Sequence, residues 1–285
     1  MIELSALANY HCVTGENPLW HAEERRIYWE DIETGRLFRA DPETSEHECF
    51  FRGDLIGGFT FQADGSLLLF EEDRIARLEQ SGERRVLIRG IDPAMVRFND
   101  VIADPEGRVY AGTIGSTDEN GALFCVERDG SVRLMWRGTG CANGMGFTPD
   151  GAGFYWTCST TRRIYRADYD RESGALSERR ELHVARDDEG TPDGLSVDTR
   201  GHLWSARWGG QAVYHLDPDG RTIEPIALPV AKVSSITFGG PNLDEAYVTT
   251  AGGTGGTEGG PEGTLFRLRG LGAVGQPEHR SKILL

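Results

Sequence analysis

Short runs of β-branched and aromatic residues, bounded by Asp, Gly and Pro, recur along the whole chain, and no helical periodicity of useful length accompanies them. The clearest recurring unit is a polar turn followed by an apolar strand, marked by Tyr28, Leu68, Tyr110, Tyr155, Trp204 and Tyr247. These markers lie 40, 42, 45, 49 and 43 residues apart. A period in the forties with several strands per repeat is typical of a β-propeller, whose blades each contain four strands. The pattern therefore predicts an all-β chain folded as a six-bladed β-propeller with a central channel.

Two more strands can be recognised in each repeat. One follows the marker, as in residues 36–39 and 122–125, and one precedes it and ends at Trp20, Phe61, Ala103, Phe147, Val197 or Phe238. We expect the preceding strand to be the innermost of its blade, residues 3–8 to close the ring against the last blade, and residues 1–285 to form a single domain. A β-sandwich or an irregular barrel is the alternative. The glycine-rich residues 251–263 lack a phosphate-loop motif and predict a surface loop.

The innermost strands contain a register of polar residues. The positions four residues before their ends are Glu16, Gly57, Asn99, Asn143, Asp193 and Ser234, and five of the six carry a side-chain oxygen. Equivalent positions on inner strands face one axis, so these side chains are expected to converge at one mouth of the channel. Two carboxylates and two carboxamides form a hard oxygen set suited to Ca²⁺, Mg²⁺ or Mn²⁺. The alternative is that the dipeptides at 143–144 and 193–194 are ordinary β-turns.

Composition narrows the range of partners. The chain carries 45 acidic and 30 basic residues, a formal net charge of -15, which argues against nucleic acid and anionic membrane surfaces as partners. Its 38 glycines agree with many tight turns. Five cysteines without CxxC spacing predict reduced thiols, and neither a secretory signal nor an apolar span is evident. We therefore expect a soluble cytoplasmic protein.

Several motifs together give a specific resemblance. They are Gly15-Glu16-Asn17-Pro18-Leu19-Trp20, Arg97-Phe98-Asn99-Asp100, Asn143-Gly144 and Pro192-Asp193-Gly194-Leu195. Over nearly its whole length the chain resembles the senescence marker protein/gluconolactonase/regucalcin-like family of six-bladed propellers. The resemblance implies one divalent metal ion (calcium, magnesium, manganese, zinc or iron) bound by Glu16, Asn143 and Asp193. It also implies substrate-binding roles for Arg97, against the sugar, and Asn99, close to the metal.

One departure from the family pattern concerns an acidic residue. Relatives often carry an acid after a Gly-Thr-Met segment, but here Asp118 and Glu119 do not align cleanly with it. A substrate role for either residue is therefore weakly supported. Trp208 and Trp204 are further candidates, as aromatic rings that could stack on a sugar.

A metal held by such oxygens is expected to polarise a lactone carbonyl while Asp193 assists attack by water. Competing nucleophile schemes lack support, because the chain has no Gly-x-Ser-x-Gly motif, its seven histidines lie off the inner-strand register, and Lys232 and Lys282 are its only lysines. Three hypotheses remain: a metal-dependent enzyme that opens a small-molecule sugar lactone, a calcium-binding regulatory propeller of the regucalcin type, and a scaffold for protein partners. The oxygen register favours the enzyme.

Overall fold

The structure, a computed structural model, describes residues 1–253 and 259–285. Its strands form six four-stranded antiparallel sheets. Blade 1 contains β2 (Gly15–His21), β3 (Arg26–Asp31), β4 (Arg36–Ala40) and β5 (His47–Arg52). Blade 2 contains β6 (Ile56–Phe61), β7 (Leu67–Glu71), β8 (Arg74–Leu78) and β9 (Arg84–Arg89). Blade 3 contains β10 (Met95–Ala103), β11 (Val109–Gly115), β12 (Ala122–Val126) and β13 (Val132–Arg137).

The remaining blades repeat the arrangement. Blade 4 contains β14 (Ala142–Phe147), β15 (Gly153–Cys158), β16 (Arg163–Asp170) and β17 (Ala175–Val184). Blade 5 contains β18 (Thr191–Val197), β19 (Leu203–Trp208), β20 (Ala212–Leu216) and β21 (Thr222–Ala227). Blade 6 contains β22 (Val233–Gly239), β23 (Glu245–Thr250), β24 (Thr264–Arg269) and β1 (Glu3–Asn9). The predicted six-bladed β-propeller is thereby confirmed, and the sandwich and barrel alternatives are wrong.

Strand β1 closes the ring, as the sequence predicted. It pairs antiparallel with β24, from Glu3 opposite Arg269 to Asn9 opposite Thr264. The segment expected to be a loop, 251–263, lies between β23 and β24, and its residues 254–258 are outside the described part of the chain. Within the described residues, no helix is long and apolar enough to cross a membrane.

Burial falls from the inner to the outer strands. Every residue of β6, β7 and β14 is buried, whereas β21 is exposed at five of its six positions. Inner strands are covered on both faces by neighbouring blades, so their apolar runs are continuous rather than alternating. The marker aromatics pack between blades, and Trp29, Trp156 and Trp204 are among the largest fully buried side chains.

A polar turn positions the second strand of a blade, as blade 3 illustrates. The carboxylate of Asp104 accepts hydrogen bonds from the backbone N–H groups of Glu106 and Arg108, both at 2.9 Å. Gly107 adopts a φ of +94°, which suits a residue without Cβ. The turn explains why a polar segment precedes each apolar marker strand in the sequence.

The C-terminal segment after β24 covers one end of the channel. The Gln276 amide donates to the carbonyl oxygens of Phe147 and Val197, the last residues of two inner strands, at 3.1 and 3.3 Å. The Ser281 N–H donates to the Phe61 carbonyl at 2.8 Å. These contacts cover the mouth of the channel at which the inner strands end. The opposite mouth, where the inner strands begin, is left accessible.

Candidate active site and cation centre

The open mouth of the channel holds a cavity of about 370 Å³. It is lined by Thr14, Glu16, Ile32, Glu33, Arg97, Asn99, Cys141, Asn143, Ser159, Thr191, Asp193 and Trp208. All five site residues singled out in the sequence are in this set. Blades 1, 3, 4 and 5 supply them, so residues up to 177 positions apart in the chain meet around one space.

Each inner strand has a β-bulge at the level of the residues that meet at the cavity. The register with the second strand shifts between Glu16 and Leu19 in blade 1, between Asn143 and Met145 in blade 4, and at equivalent places in the other four blades. Asn17 and Asp100 adopt positive φ values of 49° and 57° at their bulges. Bulges redirect side chains and often lie beside functional sites.

The Asn-Gly and Asp-Gly pairs are parts of strands, so the β-turn interpretation of them is wrong. Asn143-Gly144 lies within β14 and Asp193-Gly194 within β18. A Cβ on Gly144 would lie 2.5 Å from the carbonyl oxygen of Asp193, and one on Gly194 would lie 2.5 Å from Cβ of Ser235. The glycines are required because neighbouring inner strands approach closely.

Hydrogen bonds fix the amide of Asn143. Its Nδ2 donates to Oγ of Ser159 at 3.1 Å, and that hydroxyl donates to the carbonyl oxygen of Pro192 at 2.7 Å. With Nδ2 engaged on this side, the Oδ1 atom of Asn143 has no hydrogen-bond donor among the described residues and is free to act as a ligand. The side chain is 6% exposed, so its orientation is well constrained.

Asn99 and Arg97 form a second hydrogen-bonded pair. Nη1 of Arg97 donates to Oδ1 of Asn99 at 2.7 Å and to the Phe98 carbonyl at 2.9 Å. Nδ2 of Asn99 donates to the carbonyl oxygen of Ala142 at 2.7 Å. Both ends of the Asn99 amide are therefore engaged, and its geometry suits holding the guanidinium of Arg97 over the cavity.

The acidic residues of the site form no ion pair with a described residue, and the charge of Arg97 in the same cavity offsets the effect of burial on Glu16 and Asp193 only in part. Burial, reinforced by neighbouring acids, raises the pKa of Glu16 to about 8 and that of Asp193 well above its usual range. Burial also raises the pKa of Asp100, beside Asn99, to about 7. Within the described residues, no Lys, Arg or His nitrogen lies within 4.0 Å of any of these carboxylates. A divalent cation among oxygen donors would supply the missing positive charge, so the residues fit such an ion.

Sequence reasoning missed Glu30. It stands opposite Glu16 in the β2–β3 ladder, is fully buried, and both of its carboxylate oxygens lack hydrogen-bond partners. Burial, then the charge of Glu16, raises its pKa well above the usual range. The available signal was the acidic pair Glu30-Asp31 directly after the apolar run Ile27-Tyr28-Trp29.

Of the other candidates, some line the cavity and some lie away from it. Asp118 and Glu119 are in an exposed 3₁₀ turn and line no part of it. Trp204 is buried and stacks on His215 at 4.1 Å, which is packing, whereas Trp208 lines the cavity with the Lys232 ammonium 5.0 Å from its ring centre. Cys141 also lines the cavity, but burial raises the pKa of its thiol to about 12, so it is no thiolate nucleophile at neutral pH.

Asp198, His202 and His215 form a second group of potential ligands, on blade 5. The Asp198 carboxylate already accepts hydrogen bonds from the backbone N–H groups of Arg200 and His202 and from the side chains of Arg200 and Trp204. The two imidazoles hydrogen-bond to each other at 2.7 Å. The group is thus accounted for as a stabilised turn.

Fold and site together define a six-bladed propeller with an oxygen-lined cavity at one channel mouth. Residues 14–252 match the model of the SMP-30/Gluconolactonase/LRE-like region. The chain belongs to this family. It is 47% identical over 283 residues to the pentonolactonase XacC of Haloferax volcanii, with 96% of each chain covered.

Two further comparisons agree. The chain is 32% identical over 253 residues to the 6-deoxy-6-sulfogluconolactonase of Pseudomonas putida, with 87% of each chain covered. The crystal structure of the calcium-binding protein regucalcin from Agrobacterium tumefaciens superimposes with a TM-score of 0.87 at 23% identity, covering 96% of each chain. The resemblance inferred from the motifs is confirmed.

Proposed function

We propose that this protein is a cation-dependent sugar lactonase, which hydrolyses an aldonolactone to the aldonic acid. The observation that carries the proposal is the convergence of Glu16, Asn143 and Asp193 on one cavity, where neither carboxylate forms an ion pair with a described residue. The 47% identity to a pentonolactonase supports sugar lactones as the substrate class. All the site residues come from one ring of blades, which supports a single functional domain.

Glu16, Asn143 and Asp193 are proposed to hold one divalent cation. The ion, when bound, would stabilise negative charge that develops on the lactone carbonyl oxygen. Calcium, magnesium and manganese suit these hard oxygen donors, and zinc and iron are less well matched. Asn143 offers Oδ1 because Ser159 already binds its Nδ2.

Two further roles are proposed, substrate binding for Arg97 and proton transfer for Asp193. Arg97, held by Asn99, is proposed to donate hydrogen bonds to substrate oxygens from its free N–H groups. In the hydrolysis, a water oxygen bonds to the carbonyl carbon, the ring C–O bond breaks, and the ring oxygen takes up a proton. Asp193 is proposed to accept the proton that the attacking water loses.

The experiment is a panel of neutral lactones. Purified protein is mixed with xylonolactone, arabinonolactone or gluconolactone, and acid release is followed in a pH-stat, corrected for spontaneous hydrolysis. We expect rapid release that stops when a chelator is added. Absence of catalysed release from every lactone would contradict the proposal.

The alternative is a calcium-binding regulatory propeller, which the likeness to a calcium-binding regucalcin favours. It predicts cation binding at the same residues without lactone hydrolysis, so the panel separates the two functions. A pure scaffold is less compatible with the site, because buried carboxylates that form no ion pair lower the stability of the fold. The five free cysteines support a cytoplasmic location, and the net charge of -15 supports the absence of nucleic-acid and membrane partners.

A further inference from the structure

Glu33 is an acidic residue of the cavity to which neither motif nor fold assigned a role. It lies in the turn between β3 and β4 of blade 1 and lines the cavity together with Thr14 and Ile32. Glu33 is exposed, whereas Glu16 and Asp193 are 8% and 6% exposed. Glu33 therefore lies at the rim of the cavity, and the proposed cation ligands lie at its floor.

The position of Glu33 is fixed by the strand that carries a cation ligand. The Thr14 hydroxyl donates to Oε1 of Glu33 at 3.0 Å. The Thr14 N–H donates to the Asp31 carboxylate at 3.0 Å, and the Ile32 N–H donates to the Thr14 carbonyl at 3.1 Å. The turn that bears Glu33 is thus tied to the segment that leads into Glu16.

Like Glu16 and Asp193, Glu33 forms no ion pair with a described residue. In the part of the chain that the structure describes, no Lys, Arg or His nitrogen lies within 4.0 Å of its carboxylate. Neighbouring Asp31, in contrast, pairs with Arg36 at 2.6 Å. Among the described residues only Thr14 donates to Oε1, so the Glu33 carboxylate keeps acceptor capacity directed at the cavity.

A lactone that places its carbonyl at the floor must place the far side of its ring at the rim. Ring hydroxyls on that side are hydrogen-bond donors, and a carboxylate is the acceptor that binds them most strongly. A phosphate or sulfonate group in the same place would be repelled by the negative charge of the Glu33 carboxylate, and this repulsion is strong in a partly enclosed site.

We propose that Glu33 is the specificity-determining residue of the site: it accepts hydrogen bonds from hydroxyl groups on the far side of the lactone ring and excludes lactones with an anionic substituent there. The substrate class is accordingly a neutral aldonolactone. This inference rests on the proposed lactonase function. Glu33 is thus an acidic residue at the rim of the cavity. Asp118 and Glu119 cannot take this place, because they lie outside the cavity.

The test compares glucono-1,5-lactone with 6-phosphoglucono-1,5-lactone, which have the same ring and differ in charge at C6. For the wild type we expect kcat/KM to favour the neutral lactone by about a hundredfold. Glu33→Gln should lose about tenfold in kcat/KM for the neutral lactone, mainly through KM, and reduce the preference about tenfold or more. The matched control is Glu119→Gln, an exposed acid outside the cavity, which should leave both values unchanged.

A Glu33→Gln variant that keeps both the wild-type KM and the wild-type preference would overturn the inference. A wild type that opens neither lactone contradicts the proposed function instead. In that case calorimetric binding of neutral gluconolactam to the cation-loaded protein still decides the role of Glu33. Weaker binding by Glu33→Gln supports the role, and equal binding by both proteins refutes it. Melting curves check that the variant folds, which a change at an exposed position should allow.

Discussion

Ser234 Oγ donates a hydrogen bond to the carbonyl oxygen of Gly15 at 2.5 Å, which joins the innermost strand of blade 6 to that of blade 1. The bond fixes the backbone directly before Glu16, and the Asn17 N–H in turn holds the Glu16 carboxylate at 2.8 Å. Ser234 occupies the same register position as the proposed ligands but does not line the cavity. Its role is to position Glu16 across the last junction of the ring.

Ser234→Ala should therefore weaken cation binding without removing a ligand. We expect the Kd for Ca²⁺ to rise about three- to tenfold and the free energy of unfolding to fall by about 1–2 kcal/mol, since the buried hydrogen bonds of the Ser234 hydroxyl to Gly15 and Thr249 are lost. Isothermal calorimetry and urea denaturation measure the two effects. Ser81→Ala, in an exposed turn, is the control, and a Ser234→Ala protein with the Kd of that control would contradict the positioning role.

Gly144→Ala should distort the site, because the added methyl group clashes with the neighbouring inner strand. The new Cβ would lie 2.5 Å from the Asp193 carbonyl oxygen and 2.7 Å from the Leu195 nitrogen, so two inner strands must separate. We expect a loss of about 2–4 kcal/mol in the free energy of unfolding and a large drop in lactone hydrolysis.

The control for this variant is Gly151→Ala. Gly151 lies in a turn at φ +67° with open space around its Cβ position. We expect it to cost about 1 kcal/mol of stability and no activity. If Gly144→Ala behaved like Gly151→Ala in both measurements, close approach of the strands would not explain the glycine.

The repeat spacing was enough to predict the six blades, because each blade reproduces the same turn and apolar strand. The register of Glu16, Asn99, Asn143 and Asp193 could likewise be predicted, since equivalent strand positions face one axis. The roles of these residues remain predictions. The closing strand was predictable too, because an open last blade would leave unpaired strand edges.

Details that depend on contacts between blades could not be read from one sequence. The shared bulge is invisible in a sequence, so a turn at Asn143-Gly144 stayed open as an alternative, whereas the pair lies within a strand. Ser234 shares the register, but its hydroxyl is drawn to the carbonyl of Gly15, a partner 219 residues away. Glu33 was missed because nothing in its turn sequence indicates which cavity it faces.

Asp193→Asn and Asn143→Ala should reduce turnover by at least about a thousandfold while the propeller stays folded. In cation-free protein, Asp193→Asn should melt at or above the wild-type temperature, because it removes a buried carboxylate that forms no ion pair with a described residue. Added Ca²⁺ should raise the melting temperature of the wild type and not that of the variant. Asn120→Ala is the control for the amide, and retained turnover in either site variant would refute its assignment.

Glu278 should make stability depend on pH. It lines the covered end of the channel, where burial raises its pKa from 4.5 to about 7 against the opposing hydrogen bond from the Thr237 hydroxyl. Folding therefore favours the protonated acid. The stabilisation that protonated Glu278 gives to the folded protein is complete below about pH 4.5 and is lost as the pH rises through 7.

The matching variant is Glu278→Gln, which is neutral at every pH and can still accept the Thr237 hydrogen bond. Relative to wild type, the variant should gain about 1–2 kcal/mol in the free energy of unfolding between pH 5 and pH 8. Urea denaturation of both proteins at the two pH values measures this gain, and comparison with the wild type cancels groups common to both. A constant difference between the proteins at the two pH values would show that Glu278 does not titrate in this range.

In the proposed function, one divalent cation bound by Glu16, Asn143 and Asp193 makes the channel mouth a lactonase site. The most direct measurement is a titration of cation-free protein with Ca²⁺, Mg²⁺ or Mn²⁺ in which bound ions per chain and lactone hydrolysis are recorded on the same samples. We predict that at least one of these ions restores activity in proportion to binding and saturates both at one equivalent, and that Asp193→Asn does neither. Full activity in protein that holds no cation, or one bound equivalent without any lactone hydrolysis, would contradict the account.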